Sequence, residues 1–185
     1  MNAPRRTLKE RIGFDAGRRL PAEEAIEFAG ANDVFFMDIQ TDLEPNSFES
    51  FDDARCDRIR KLKDRFGIRL GLHTLSGVNV AEISPFCRDA VDEYLRAYVD
   101  LSQKLDADWI VVHGGYHFTS CRNERMQASV ERLQRISEYA EKAGAQLLLE
   151  NLQWEPVLAE VNYLPVTPAE CRWYFEQLPC PNIKW

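Results

Sequence analysis

The sequence predicts an α/β protein built as a β/α barrel, and three observations carry the prediction. Short apolar runs recur about every 34 residues, near the length of one strand-plus-helix unit. The segments between them have helical periodicity, with recognisable start or stop signals. No GxGxxG or P-loop follows the first run, where GFDAGRRLP stands instead, so a dinucleotide-binding sheet is disfavoured.

Taken in order, the predicted strands are Ile12–Asp15, Val34–Ile39, Ile68–Thr74, Trp109–His113 and Gln146–Leu152, with a sixth opening at Ile183. They are apolar throughout rather than alternating, as parallel strands covered on both faces should be. Arg65-Phe66-Gly67 closes the second helix. The third opens with Ser84 as N-cap and Pro85 at its first position, and places Cys87, Val91, Tyr94, Leu95, Tyr98 and Leu105 on one face. Asn123 is set to cap the fourth, whose stripe is Val130, Leu133, Ile136 and Ala140, and which stops at Gly144 in the left-handed C′ position. Thr167-Pro168-Ala169-Glu170 reads as a capping box for the last helix. Strands alternating with helices require parallel pairing through right-handed crossovers.

A closed barrel has eight strands. The sequence supplies five βα units and the start of strand six, so the expectation is one domain over residues 1–185, a TIM barrel truncated at its C-terminus. Two unpaired sheet edges would then favour association or aggregation.

The 185 residues are 45% hydrophobic and 29% charged, ordinary for a globular protein. A net charge of −7 gives no global basic footprint for nucleic acid. Cys56, Cys87, Cys121, Cys171 and Cys180 are odd in number and form no CxxC, which points to reduced thiols in a cytoplasmic protein. The start, MNAPRRTLKERIG, is basic but lacks the apolar region of a secretory signal, and no window is apolar for the roughly 20 residues a membrane span needs.

Chemistry concentrates at strand ends. The third predicted strand, IRLGLHT, ends on His73; the fourth, WIVVHGG, on His113; the fifth, LLLENL, on Glu150. In a β/α barrel these ends converge on one mouth. Two imidazoles and a carboxylate are a partial ligand set for a divalent cation, and a cation would offset the cost of desolvating Glu150 at the tip of a buried strand. Further candidates for ligand contact are Asn151, His117, Trp154 and Asn79, with Tyr163 beside Trp154 as an apolar wall. Asp38 either reaches the mouth or pairs with a helix N-terminus. Asn79 either lines the mouth or makes a turn, and Gly114-Gly115 serve a tight turn or a close substrate approach.

LHT, VVHGG and LLLEN on these strands resemble the xylose isomerase-like barrel superfamily, which holds sugar phosphate isomerases and epimerases together with the endonuclease IV family. The isomerase branch implies Glu150 as a ligand of a divalent metal (Zn, Mn, Mg or Co) and an acid–base carboxylate, with other ligands on strands beyond residue 185. The endonuclease branch implies His73, His113 and Glu150 in a zinc cluster cutting at abasic sites. Three readings follow: a metal-dependent isomerase or epimerase of a small sugar, keto acid or cyclitol; an abasic-site endonuclease; or a non-catalytic fragment that binds a ligand. The loops after strands two to four hold Arg122 and Arg125 as their only basic residues, which favours the small polar substrate over DNA. With three ligands at most, the chain alone should bind metal weakly.

Overall fold

The structure, a computed structural model, describes residues 7–8 and 11–185. The basic amino-terminal stretch read against a secretory signal lies mostly outside the described residues. The chain divides into two units. The first runs through His73 and takes up Leu101–Trp109; the second comprises Thr74–Asp100 and Ile110–Trp185.

In the first unit, β1 (Gly13–Asp15), α1 (Ala22–Ala31), β2 (Phe36–Gln40), α2 (Asp53–Phe66) and β3 (Arg69–His73) alternate as expected. The strands pair in parallel, with Asp15 opposite Asp38, Asp38 opposite Gly71, and Gln40 opposite His73. Buried Ala22, Ala25, Ile26 and Ala29 keep one face of α1 against neighbouring structure. Asn46, fully buried, brackets the start of α1: its amide donates to the Leu20 carbonyl and its oxygen accepts from Ala22 N–H. The α2 helix is capped by Asp52, which accepts from Arg55 N–H, and ends at Gly67. Gly71 keeps β3 slim where the Trp109 indole packs; a Cβ there would sit 2.0 Å from the indole nitrogen.

The second unit contains most of α3 (Arg88–Leu105) and of β4 (Trp109–His113), followed by β5 (Tyr116–His117), α4 (Arg122–Ala143), β6 (Leu147–Glu150), β7 (Asn162–Tyr163), α5 (Pro168–Gln177) and β8 (Ile183–Lys184). β4 pairs with β6 in parallel, so that His113 stands opposite Glu150, and β6 pairs with β8 through Leu147 and Ile183. Buried Met126, Val130, Leu133, Ile136 and Ala140 recur at helical spacing along α4. Full burial of Leu133 contributes roughly 1.5–3 kcal/mol. Gly144 ends α4 with φ 73° and returns its N–H to the carbonyls of Ala140 and Glu141, the left-handed stop that the sequence predicts. The Thr167–Glu170 capping box at α5 is present with both of its hydrogen bonds.

Three local expectations are corrected. The α4 N-cap is Cys121, with Asn123 inside the first turn. Residues 85–87 form a turn ahead of α3, although the Ser84 carbonyl still accepts from Arg88 N–H across the first helical spacing. Cys87 therefore precedes the helix and is exposed, off the buried face assigned to it. A short antiparallel pair, β5 with β7, was not anticipated; two-residue strands carry no periodicity to detect.

Overall the protein is α/β, with β1, β2 and β3 parallel neighbours in chain order in the first unit and β4, β6 and β8 in the second, the strand order of a barrel pattern. Among the described residues no helix is long and apolar enough to cross a membrane. All five cysteines are free thiols.

Candidate metal centre

The second unit brings two sequence-predicted residues into direct contact. β4 and β6 end level with one another, and their last side chains meet: His113 Nε2 lies 3.0 Å from Glu150 Oε2. Thr74 reaches the other side of the imidazole, its hydroxyl 3.2 Å from His113 Nδ1, while Thr74 N–H donates to the Val111 carbonyl and fixes the segment along β4. His113 is 2% exposed; Glu150 keeps 42% of its side chain exposed. The desolvation that the sequence assigns to Glu150 is therefore only partial, since the carboxylate ends the strand at the surface with an imidazole beside it.

In the first unit, His73 Nδ1 lies 3.1 Å from Asp38 Oδ2. The strand register explains the contact: Asp38 sits on β2 two residues before the partner of His73, a diagonal within reach of two extended side chains. Of the two roles open to Asp38, the structure thus places it on an imidazole at a strand end. Within the second unit, His113 and Glu150 together offer an imidazole nitrogen and a carboxylate oxygen, a partial donor set for a divalent transition-metal ion.

The remaining candidates divide. His117 is buried in β5, with Nδ1 donating to the Phe118 carbonyl at 3.0 Å. It shares a cavity of about 230 Å³ with Trp154, Tyr163, Asn162, Arg122 and Glu170, so two predicted ligand-contact residues do come together. Asn79 is committed elsewhere: buried, its Oδ1 accepts N–H bonds from Ala81 at 3.1 Å and Tyr116 at 2.9 Å. Gly115, at φ 86°, makes this bracket possible, because a Cβ there would stand 2.4 Å from Ala81 N and 2.5 Å from Asn79 Oδ1. Asn151 Oδ1 accepts from the Trp185 indole at 3.2 Å on the exposed side of the chain.

Two residues matter here that the sequence did not single out for the site. Thr74 is visible only as the last residue of a predicted strand. Glu170 reads as a helix cap and is one, but it also binds Arg122. Burial pushes the Glu170 carboxyl up; the Arg122 guanidinium and the N–H groups of Val166 and Thr167 outweigh that and hold it below the ordinary carboxylate range.

Residues 24–184 match the family described as xylose isomerase-like TIM barrel. No curated protein matches the sequence. Among solved structures, D-psicose 3-epimerase from Clostridium cellulolyticum H10 with D-tagatose superposes with a TM-score of 0.77 at 18% identity, over 93% of this chain and 61% of that one. L-ribulose 3-epimerase gives 0.71 at 18%, over 93% and 58%. D-allulose 3-epimerase from Methylomonas sp. gives 0.69 at 19%, over 92% and 60%. At these identities the likeness is one of fold, and this chain spans about 61% of the length of the first of these epimerases.

Proposed function

The chain belongs to the xylose isomerase-like TIM-barrel family, and from that premise we propose a metal-dependent sugar isomerase or epimerase that moves a proton next to a carbonyl. The observation that carries the reading is the His113–Glu150 contact at the level ends of β4 and β6. The solved structures it resembles include 3-epimerases of ketoses, which supports a small sugar as substrate.

In this reading Glu150 and His113, with His73 assigned from the strand-end pattern of the sequence, would hold a divalent cation, whose Lewis acidity would polarise the substrate carbonyl and its neighbouring hydroxyl. The acid–base work falls to Glu150. It takes the proton from the carbon beside the carbonyl, leaving an enediolate-like substrate. Returning that proton to the neighbouring carbon gives the isomer. Return to the opposite face of the same carbon, the epimer, calls for a second acid on that side. His113, donating to Glu150, orients the carboxylate. The cavity shared by His117, Trp154 and Tyr163 offers apolar ring faces and an imidazole to a hydroxylated ligand.

The charge pattern supports a sugar over abasic DNA. Arg122 is paired with Glu170, and Arg125 lies 3.3 Å from Glu82 with its side chain 11% exposed. Both basic residues of these loops are thus neutralised within the fold, and counterion release needs cations that face the backbone. The test is exchange of the substrate's carbon-bound hydrogen in D2O with Mn²⁺ or Co²⁺, using this protein with ketohexoses as probes. Exchange that Glu150→Gln abolishes is the expected result. Absence of exchange alongside salt-sensitive cleavage of abasic DNA would replace this reading with the nuclease.

A further inference from the structure

We propose that the cavity beside the β5–β7 pair takes an uncharged, hydroxyl-bearing end of the sugar, and that the Arg122–Glu170 ion pair makes it reject a phosphate ester of that end. The inference names the substrate class of the proposed reaction, a free sugar rather than a sugar phosphate. It rests on that reading only in taking the bound sugar to be the one that reacts.

The cavity lies wholly within the second unit and has a volume of about 230 Å³. Pockets for drug-sized ligands run to roughly 300–1,000 Å³, so this one suits a monosaccharide or one end of it. His117 and Trp154 each follow a strand-end residue, His113 and Glu150, by four positions. Four residues of extended chain reach roughly 14 Å, which keeps the cavity beside that pair.

Its open groups are those of a hydroxyl-binding site. His117 is 7% exposed, and because Nδ1 donates to the Phe118 carbonyl, Nε2 holds the lone pair and accepts. Among the described residues that Nε2 has no partner, nor do the Asn162 amide and the Tyr163 hydroxyl. One pure acceptor beside two groups that both donate and accept is a combination that a row of hydroxyls can satisfy. The Trp154 ring, 71% exposed, adds an apolar face for the C–H side of a sugar.

The features that would bind a phosphate are present but filled. Phosphate is held by guanidinium forks and by free N–H groups at helix starts. Arg122 is the one cation lining the cavity among the described residues, and its guanidinium donates to Glu170 Oε1 at 2.5 Å. The N–H groups of Val166 and Thr167, at the start of α5, both donate to Glu170 Oε2. Glu170 thus occupies with its own carboxylate the place an anion would take. Glu155 adds a second negative charge to the wall, so a phosphate ester of charge about −2 meets repulsion and no free cluster of donors.

The test compares D-fructose with its 1- and 6-phosphates by calorimetry, on wild type and on Glu170→Gln, with and without Mn²⁺. Wild type should bind fructose, and should bind at least one ester tenfold or more weakly, the one whose phosphate falls in the cavity. Glu170→Gln frees the Arg122 guanidinium. For that ester the affinity relative to fructose should then rise tenfold or more, a gain that added NaCl reverses. His117→Phe should weaken fructose about 3- to 10-fold, the scale of one lost hydrogen bond.

A wild type that binds both esters within tenfold of fructose or more tightly, or that binds no fructose under either condition, would overturn the proposal. So would an ester-to-sugar ratio that Glu170→Gln leaves unchanged. The wild-type comparison decides the matter even where Glu170→Gln fails to fold. Calorimetry needs no turnover. Charge-selective binding without hydrogen exchange would therefore bring down the proposed reaction and leave the cavity assignment standing, while exchange from both esters as fast as from fructose would do the reverse.

Discussion

Glu150 and Glu170 lie in the same unit, twenty residues apart, and their surroundings give them opposite tasks. Glu170 is saturated: Arg122 donates to one oxygen, the N–H groups of Val166 and Thr167 donate to the other, and the side chain is 11% exposed. Its charge is spent on starting α5 and tying that start to α4. Glu150 ends a strand with 42% of its side chain exposed and an imidazole at 3.0 Å. The difference teaches that a carboxylate surrounded by backbone N–H groups and a guanidinium is a component of the fold. One set among imidazoles at a strand tip keeps capacity to bind or move something else.

Removing each carboxylate in turn should separate the two tasks. The largest effect is expected from Glu150→Gln. Hydrogen exchange from a ketose should fall about 10³-fold, the scale of a lost acid–base group, with Tm nearly unchanged. A variant that keeps its exchange rate would erase the contrast at its functional end.

Asn79 extends the saturated class. Asn79→Ala strips two buried N–H donors, Ala81 and Tyr116, of their acceptor and should destabilise the fold by roughly 3 kcal/mol, lowering Tm by about 6–12 °C. Denaturation showing no loss would return Asn79 to the mouth as a ligand contact. Glu170→Ala removes half of a capping box and leaves Arg122 unpaired, for an expected cost of about 2 kcal/mol in thermal melts. The turnover of the folded fraction should stay within about twofold; a larger drop would mean Glu170 belongs to the chemistry as well.

The smallest effect is the acid limb. The folded Glu170 carboxyl titrates below its ordinary value of 4.5, so its contribution is fully present above that pH. It is lost as pH falls through the lower folded value. The stability gap between wild type and Glu170→Gln should accordingly be constant near neutrality and close as the solution is acidified below 4.5. A gap that widens on acidification would contradict the assigned direction.

Much of this contrast was legible in the sequence, for local reasons. The Thr167–Glu170 box, the Gly67 and Gly144 stops and the Trp109–His113 strand depend on neighbours within one turn or one extended run. The strand ends that carry His73, His113 and Glu150 could be read because each closes a short apolar run. Side-chain partners were not legible. Asp38 meets His73 across 35 residues, and Asn79 holds Tyr116 across 37, so no local pattern announces either. Residues 85–87 form a turn ahead of α3, and upstream of it Glu82 accepts from Ile83 and Ser84 N–H, contacts that the helix signal in the sequence does not show. Composition could not say whether Arg122 and Arg125 face a ligand; pairing with Glu170 and Glu82 answers that only in three dimensions.

The account stands most directly on whether Glu150 and the imidazole beside it take up a divalent cation. Titrating Co²⁺ into the protein, followed by its visible absorption, should give one site with nitrogen and oxygen donors. Glu150→Gln should weaken that site about 100-fold or more, and Glu170→Gln should leave it unchanged. Equal cobalt affinity in wild type and Glu150→Gln would contradict the account.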